Sequence, residues 1–594
     1  MKKAILAQKV LASVLAIGLG GFVLPLAAQA NSGLKGPEYV NSLYGKYYVG
    51  INGAADNVVI IDSDLPDNNE GVIGGYTKDS DAVKNSVTVS GGTAGTVFGG
   101  FTTKGNASKN IVNISGGTVT NVYGGYSGPY AFNGASNNSI NISGGTVTGI
   151  VVGGYSSQGP VSGNSIRLSG TADVSQAKLY GYDHYIVGEQ TVENNKLIIN
   201  GWSGTVGSLH NFNGAEGGIE VKALAGGLDL VVDKQTVFVE SKAEIDSSNR
   251  LSTTKVKDIQ AGVALTVSGD IGISEDDKNI YIKPTSVRAS DQTAITTESR
   301  AAAAAFVNQG AEAVSDSINS LQGAEAGIST FATVSGNNSK YDTGSYVDIN
   351  GWNGIVGVAK TKDLNAGKFS YGAFFENGGG NYNTYNDFNG TSFRGDGNVV
   401  YNGGGLLMRY EQENGVYTEA SLRAGTAKNE VSNALSDMDN KLYGFKTENA
   451  YYGAHIGIGK IIKLDNGKAW DIYGKYFHTH HEGDSVKIAN DVFDFDSVDS
   501  DKLRIGARFS EQQGEKLTSY YGLAWEYEFS GDAGGTANHY AMYTPSLEGS
   551  TVIGEVGFRY TPGKESPWYF DANIRGYAGM QEGISGSVQA VYSF

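Results

Sequence analysis

The stretch "HTHHEGD" at 478–484 contains the residues of this sequence that are best spaced to bind a metal ion. His478 and His480 share one face of a predicted strand because side chains alternate along a strand, and His481, Glu482 and Asp484 follow them. Imidazole and carboxylate groups bind transition metals. A solvent-exposed strand end that continues into a polar loop has the same pattern of histidines and acidic residues without binding a metal. We therefore keep His478 and His480 as candidate ligands and predict no metal and no cofactor.

The acidic stretch "NDVFDFDSVDSD" at 490–501 is a second candidate ion site. Closely spaced carboxylates attract calcium, but an EF-hand loop also needs a glycine and a closing glutamate, which this stretch lacks. The prediction here is an exposed acidic loop.

Catalytic groups are scarce in the first half of the chain. Acid and base cleavage of a glycosidic bond takes two carboxylates that face one bond, whereas residues 85–182 contain only Asp173. Residues 31–295 also lack the G-x-S-x-G pattern of esterases. The sequence predicts that this half is not an enzyme, and a glycan-degrading domain is the less favoured alternative.

Composition narrows the class of protein. The 594 residues include 86 glycines, 35 tyrosines, only 9 prolines and no cysteine, which is typical of many β-strands joined by tight turns. A chain without cysteine has no disulfide and no thiolate chemistry. The net charge of -17 argues against a nucleic-acid partner, since phosphates are bound by clustered lysine and arginine.

The N-terminus has the pattern of a secretory signal peptide at 1–30. Three lysines precede an apolar run from Val10 to Leu24, and Ala28 and Ala30 form the predicted signal-peptidase site. A transmembrane anchor needs about 20 apolar residues, and Pro25 ends this run too early. Since no other stretch resembles a membrane helix, a membrane domain would have to be a β-barrel.

Residues 71–182 repeat themselves. Copies that begin at Asn85, Asn110, Asn138 and Asn164 each contain a short strand, a Ser-Gly turn and a second strand, and most of them end on Gly-Gly-aromatic. A single copy cannot bury its own apolar face, so stacked copies predict a β-solenoid. A row of independent hairpins is the alternative. Residues 191–283 have a looser form of the pattern and are predicted as further rungs or a cap.

Two columns of residues are predicted on this solenoid. Aromatic residues at equivalent places would stack along one edge: Tyr76, Phe101, Tyr126 and Tyr155. Alternate positions of the first strand would face solvent: Thr88, Asn113 and Asn141. This uncharged surface suits hydrogen bonding to other chains or glycans, although a soluble spacer has the same character.

An alanine-rich helix with Thr296 or Thr297 as N-cap is predicted at 296–323, followed by about twelve strands. Short turns such as "DNG" at 465–467 alternate with long polar connections around 378–397, 430–447, 482–497 and 531–549. One strand places aromatic residues on a single face: Tyr521, Leu523, Trp525, Tyr527 and Phe529. This arrangement is typical of an outer-membrane barrel with its aromatic face toward lipid.

Signal peptide, solenoid, helix and a twelve-strand barrel ending in aromatic-x-Phe together resemble the monomeric autotransporters (type V secretion) of Gram-negative bacteria. The resemblance covers the whole chain in architecture and is best in sequence from Arg300 to Phe594. It implies an all-β fold with a parallel β-solenoid passenger at 31–295, a linker α-helix inside the pore at 296–323, and a twelve-stranded antiparallel transmembrane β-barrel at 324–594. In that family the barrel-assembly machinery reads the terminal strand, which implies this role for Val588, Ala590, Tyr592 and Phe594.

The resemblance also implies a monomeric barrel in outer-membrane lipid and a passenger exposed at the cell surface. We expect the passenger to contact host or bacterial surface glycans or proteins, by adhesion or self-association. Some family members cut themselves between paired asparagines in the pore. Here Asn308 precedes Gln309 and Asn319 precedes Ser320, so the predicted helix lacks paired asparagines. We therefore do not expect this self-cleavage in the present chain. The alternative function is an outer-membrane channel with a periplasmic N-terminal domain.

Overall fold

The computed structural model describes residues 32–41, 45–65, 71–128, 130–184, 191–214, 217–246, 254–322, 325–388, 390–563 and 566–594. The signal peptide predicted at 1–30, with Ala28 and Ala30, lies outside these ranges. The chain forms two compact units, Met1–Arg288 with Asp437–Lys441, and Ala289–Ser436 with Leu442–Phe594. Within the described ranges, no helix is long and apolar enough to cross a membrane.

In the described ranges, twenty-five short strands precede the helix. They are β1 Leu34–Asn41, β2 Gly45–Gly50, β3 Val58–Ile61, β4 Gly71–Thr77, β5 Ala82–Val83, β6 Ser86–Val89, β7 Thr93–Thr102, β8 Ala107–Ser108, β9 Ile111–Ile114, β10 Thr118–Ser127, β11 Ala135–Ser136, β12 Ser139–Ile142, β13 Thr146–Val147, β14 Ile150–Ser156, β15 Val161–Ser162, β16 Ser165–Ser169, β17 Val174–His184, β18 Val192–Glu193, β19 Lys196–Asn200, β20 Gly204–His210, β21 Ile219–Leu224, β22 Thr236–Ser241, β23 Thr254–Ala261, β24 Leu265–Ile273 and β25 Asn279–Ala289.

Parallel pairing confirms the predicted solenoid. Strands β3, β6, β9, β12, β16 and β19 form one face, and β4, β7, β10, β14, β17 and β20 form another. The buried residues Val87, Val112, Ile140 and Ile166 lie in register along the first face. The copies therefore stack on one another, and independent hairpins are excluded for this region.

The segment 191–283 contains both of the predicted alternatives. Strands β19, β20 and β21 continue the parallel stack. Beyond them, β22 pairs with β25 and β23 pairs with β24, both antiparallel. A capping sheet therefore closes the solenoid after its last parallel rungs.

A column of buried asparagines runs through the solenoid. The Nδ2 of Asn85 donates to Oδ1 of Asn110 at 2.9 Å, and Nδ2 of Asn110 donates to Oδ1 of Asn138 at 3.1 Å. The Oδ1 of Asn110 also accepts the backbone N–H of Asn85 at 3.0 Å. The column comprises Asn57, Asn85, Asn110, Asn138, Asn164, Asn195 and Asn213. Four of these residues, Asn85, Asn110, Asn138 and Asn164, open the sequence repeats, but their mutual bonding was not predicted.

This column explains the Gly-Gly pairs of the repeats. A Cβ on Gly100 would lie 2.6 Å from Nδ2 of Asn110, and one on Gly125 would lie 2.5 Å from Nδ2 of Asn138. Only glycine lets the second strand approach the asparagine amides this closely.

The aromatic ladder is confirmed. The rings of Phe101 and Tyr126 stack with centroids 4.8 Å apart, and those of Tyr126 and Tyr155 stack at 4.4 Å. A second stacked pair, Phe98 with Tyr123 at 4.9 Å, meets the first column edge to face. Because Phe101 and Tyr126 are buried, the main role of the ladder is to pack neighbouring copies of the solenoid against one another.

Helix α1, Ala294–Asn319, begins two residues before the predicted start and follows a 3₁₀ turn at Asp291–Thr293. The predicted N-caps are wrong, because Thr296 and Thr297 lie inside the helix. Their hydroxyls donate to the carbonyls of Thr293 and Ala294, at 2.7 Å and 3.1 Å. Hydroxyls that bond back into the preceding turn in this way do not mark a helix start.

Among the residues described after the helix, sixteen further strands follow. They are β26 Gly327–Asp342, β27 Tyr346–Leu364, β28 Gly367–Phe388, β29 Thr391–Gln412, β30 Val416–Ser436, β31 Leu442–Lys463, β32 Lys468–His481, β33 Asp484–Ile488, β34 Asp491–Phe495, β35 Val498–Gln513, β36 Leu517–Glu528, β37 Gly535–Ala537, β38 Tyr540–Ala541, β39 Gly549–Tyr560, β40 Trp568–Gly579 and β41 Gln581–Ser593. Twelve of them close an antiparallel barrel, while β33, β34, β37 and β38 form a separate four-stranded sheet.

The barrel confirms the predicted strand number and facing. Tyr521, Leu523 and Trp525 are exposed on the outer face of β36, whereas Ala524 and Glu526 are buried in the lumen. The long connections predicted at 378–397 and 430–447 are wrong, since β28 to β31 extend through most of both segments. Asn381 and Asn383 face outward there, so the strands lack the apolar face that would have revealed them.

Candidate functional site: the occupied pore

Helix α1 lies inside the barrel. All of its residues except Asp316 and Asn319 are buried, including Glu298, Arg300 and Glu312. Five successive alanines, 301–305, keep the helix narrow where it enters the lumen. A charged helix is buried in this way only if the surrounding wall supplies partners, because an unpaired buried charge is very costly.

The wall supplies partners at the upper and middle levels of the helix. Thr343 donates its hydroxyl to the Glu298 carboxylate at 2.9 Å. Arg300 donates to Asn449 Oδ1 at 2.8 Å and to the carbonyl of Glu482 at 2.6 Å.

Lower in the lumen the contacts are ion pairs. Arg504 Nη2 lies 2.8 Å from Glu312 Oε1, and Lys502 Nζ lies 3.2 Å from the same oxygen. Both nitrogens of the Arg575 fork donate to Asp316, at 2.7 Å and 2.8 Å. The carboxylates of Glu312 and Asp316 are thus neutralised by cations from β35 and β40.

The last turn of the helix is held by apolar packing. Val314, Ile318 and Leu321 are buried in a cluster with wall residues from β26, β27, β28, β29 and β41, namely Phe331, Ile355, Ala359, Phe374, Leu407 and Val591. The helix therefore has a charged middle and an apolar foot, and both match the adjacent wall.

The wall also carries ion pairs of its own. Glu419 forms ion pairs with Lys475 at 2.6 Å and with Arg409 at 3.0 Å. Arg423 pairs with Glu376 at 2.9 Å. Between helix and wall, two polar cavities lined by described residues measure only about 30 Å³ and 10 Å³. Around the described residues of the helix, the lumen is therefore filled.

A small sheet covers the helix N-terminus. Strands β33, β34, β37 and β38 pair within the connections predicted at 482–497 and 531–549. Thr296 Oγ1 lies 3.6 Å from the sulfur of Met542, and the Arg300 guanidinium lies 5.8 Å from the centre of the Phe495 ring. We call this four-stranded sheet the lid.

The acidic stretch 490–501 belongs to the lid and to β35. Asp491 is fully buried and accepts a bond from Asn538 Nδ2 at 2.7 Å, while Asp494 accepts one from Ser485 at 2.6 Å. The prediction of an exposed acidic loop is thus wrong for Asp491. Pairing within the lid uses these carboxylates as hydrogen-bond acceptors.

The two candidate histidines lie together on the outer face of β32. His478 Nδ1 is 2.8 Å from Asp501 Oδ1, and His480 Nδ1 is 2.6 Å from Asp499 Oδ1. His481 is buried and has the opposite strand parity. In the described part of the chain, no group of three or more histidines and acidic residues is arranged to hold a metal ion.

The four residues of the terminal strand share one face. Val588, Ala590, Tyr592 and Phe594 have the outward parity of β41, which pairs with β26 and closes the barrel. Phe594 is 77% exposed, and its backbone N–H donates to Ile328 at 2.9 Å. The side chains assigned to assembly therefore point away from the lumen at the seam between the first and last strands.

The luminal ion pairs were missed by sequence reasoning. A signal for them exists, because Arg504, Glu526 and Glu555 alternate with outward apolar residues on their strands. Alternation shows that such charges face the lumen, but it does not show which charges meet.

Fold and site together define a class of protein, namely a twelve-strand barrel with its pore occupied by a helix, preceded in the chain by a β-solenoid. Residues 327–573 match the family model of the Autotransporter beta-domain. The barrel is accordingly an autotransporter beta-domain, and the predicted family is confirmed for this part of the chain. No curated protein sequence matches the chain.

Solved structures with a similar fold include three autotransporter barrels. The beta domain of BrkA from Bordetella is 15% identical with a TM-score of 0.36, covering 45% of this chain and 100% of that chain. The translocator domain of NalP from Neisseria meningitidis is 16% identical with a TM-score of 0.39, covering 50% and 99%. The transport unit of AIDA-I from Escherichia coli is 12% identical with a TM-score of 0.35, covering 46% and 92%.

Localisation follows from the family match. The beta-domain is a barrel of the outer membrane, and the part of the chain that precedes it is displayed outside the cell. The protein is thus an outer-membrane autotransporter whose passenger is the β-solenoid.

Proposed function

We propose that the solenoid is a non-enzymatic passenger that makes contacts at the cell surface, by adhesion to glycans or proteins or by self-association. The observation that carries this proposal is the outer face of β6, β9 and β12. Thr88, Asn113 and Asn141 lie there side by side, and Asn141 Nδ2 donates to Asn113 Oδ1 at 2.9 Å. Such a flat face of aligned uncharged groups suits repeated hydrogen bonding to a partner.

The composition of the repeats supports a contact role over catalysis. Residues 85–182 contain Asp173 as their single carboxylate, so this region offers no pair for acid and base cleavage of a sugar. The filled lumen also favours a transport unit over the alternative of an open channel. We further propose that the passenger stays attached, since no paired asparagines occur in α1.

Positive charge on the outer face of β6, β9 and β12 is expected to abolish the contact between the passenger and its partner. Asn113→Lys combined with Asn141→Lys places two cations side by side on the proposed surface, and burying these charges without partners when the contact forms costs several kcal/mol. We expect cell sedimentation, or retention on immobilised glycans and host proteins, to fall at least about tenfold.

Thr120→Lys combined with Thr148→Lys is the matched control, because Thr120 on β10 and Thr148 between β13 and β14 are both exposed elsewhere on the solenoid. Surface amounts of all variants are compared with an epitope tag. Equal loss in both pairs, or no loss in either, would overturn the proposed surface.

We propose that the outward residues of β41 are contacted by the barrel-assembly machinery, and that the barrel is monomeric in outer-membrane lipid. Phe594→Ser removes the most exposed aromatic side chain of the seam without touching the lumen. The folded barrel in the outer membrane, measured by its heat-modifiable electrophoretic mobility, is expected to fall by more than half. Refolding of the purified variant in detergent is expected to match that of the unaltered protein.

Ser593→Ala serves as the control on the same strand. A Phe594→Ser barrel that assembles normally in cells would contradict the proposal. A variant that also fails in detergent would indicate a role in barrel stability instead.

A further inference from the structure

An apolar groove on the outer face of the barrel crosses the seam between the first and last strands. It has a volume of about 660 Å³, which lies within the range of small-molecule sites, about 300–1,000 Å³. Its floor is formed by outward residues with small side chains, Ala332 of β26, Ala373 of β28 and Ala590 of β41. Larger residues stand on both sides of this floor.

Register explains the shape of the groove. Ala332 is paired with Ala590 on one side and with Val356 on the other. Beyond Ala590 the rings of Trp568 and Tyr592 meet edge to face at 4.9 Å. Ala590 and Ala332 lie side by side, and the valines of β27 separate them from Ala373 of β28. The groove is therefore a shallow apolar depression, and in a membrane such a depression is filled by an acyl chain.

Two lysines lie next to the groove. Lys360 and Lys362 follow Val358 on the same outward face of β27, toward the short turn at 364–367. Short turns mark the periplasmic end of an outer-membrane barrel. In the part of the chain that the structure describes, neither lysine makes an ion pair, and Lys362 Nζ lies 5.7 Å from the centre of the Tyr371 ring. These cations are therefore placed at the headgroup level of the periplasmic leaflet.

We propose that this groove binds one anionic phospholipid of the periplasmic leaflet. One acyl chain lies across Ala332, Val358 and Ala373, and the phosphate is held by Lys360 and Lys362. The site couples a lipid to the seam that closes the barrel. It goes beyond the proposed function, since neither adhesion by the passenger nor assembly through β41 requires a bound lipid.

Trp568 lines the groove and provides the test. A full-length mature chain that keeps Trp568 as its single tryptophan is reconstituted in phosphatidylcholine vesicles containing either brominated phosphatidylglycerol or brominated phosphatidylcholine. A lysine near an anionic membrane surface favours binding by about fivefold. We therefore expect half-maximal quenching of Trp568 at a mole fraction about fivefold lower for the brominated anionic lipid.

Trp470 provides the matched control. It lies on the outer face of β32, where the neighbouring Lys468 pairs with Glu511 at 3.2 Å. A chain with Trp470 as single tryptophan is expected to show no preference, and Lys360→Gln with Lys362→Gln is expected to remove the preference at Trp568. Equal quenching by both lipids at Trp568, or an equal preference at Trp470, would overturn the site.

A second measurement keeps all native tryptophans. Native mass spectrometry of the full chain, extracted with phosphatidylglycerol present, is expected to show one retained lipid. Ala332→Phe fills the groove and should abolish this retention, whereas Ala424→Phe, on the outer face of β30, should preserve it. A spectrum without a lipid adduct, with lipopolysaccharide in its place, or with a dimer of the chain would contradict the proposal.

Discussion

Asn110→Ala is expected to destabilise the solenoid by about 4 kcal/mol, since a buried polar group left unpaired costs about 1–3 kcal/mol. The Asn110 side chain takes part in four hydrogen bonds. It accepts from the backbone and the side chain of Asn85 at 3.0 Å and 2.9 Å, and it donates to Asn138 at 3.1 Å and to the Ala82 carbonyl at 3.0 Å. Alanine leaves all four partner groups buried.

The loss is measured by denaturant titration of the full-length protein. Trp202 is the one tryptophan of the solenoid, and it is buried with its indole N–H donated to the Ala172 carbonyl at 2.9 Å. Its fluorescence reports the unfolding of this unit in a chain whose four barrel tryptophans are replaced by phenylalanine. The midpoint denaturant concentration should fall strongly in Asn110→Ala, because neighbouring rungs of a solenoid stabilise one another.

Asn113→Ala is the control for this comparison. Asn113 bonds to its neighbour in the next copy through a half-buried amide, so its loss should cost about 1 kcal/mol. If both variants lower the free energy of unfolding equally, the buried column does not have the role assigned to it.

Arg575→Ala is expected to open the pore. This guanidinium bridges helix and wall, with both nitrogens of its fork on Asp316 and with Nε donating to Glu555 at 2.9 Å. Removal of one partner from a buried ion pair costs about 3–5 kcal/mol. The uncompensated Asp316 then favours a helix displaced from the lumen.

Conductance in planar bilayers measures this displacement. The unaltered full-length protein is expected to stay closed, because its lumen is filled, whereas Arg575→Ala should open often. Opening should occur at least about 100 times more frequently, the factor that corresponds to about 3 kcal/mol.

Arg559→Ala provides the matched control. Arg559 is a luminal arginine that pairs with Asp571 on the neighbouring strand at 3.1 Å, and none of its hydrogen bonds or ion pairs with described residues joins it to the helix. The Arg559→Ala variant should have a less stable barrel, but its pore should stay closed. Frequent opening in both variants would show that general loosening of the wall, and not release of the helix, opens the pore.

Periodicity made much of the fold predictable. Stacked repeats define a solenoid because one copy cannot bury its apolar face. Alternating strands joined by short turns define a barrel. A period of two also assigns faces, so the outward position of Tyr521 and Leu523 and the luminal position of Glu526 follow from the amino-acid sequence alone.

Other features of the structure could not be predicted from local patterns in the sequence. Strands β28 to β31 are polar on both faces beyond the apolar band, so residues 378–397 resemble a loop in sequence. The pairing of Glu312 with Arg504 joins positions that are far apart in the chain. A period along one strand contains no information about which luminal charges face each other.

By itself, the sequence determined the two architectures, the linking helix and the face of each well-patterned strand, because burial of apolar side chains depends on local spacing. Only the tertiary structure decided the asparagine column, the lid, the ion pairs that hold the helix in the pore, and the groove at the seam. Each of these depends on the register between strands, and register is set when distant segments meet.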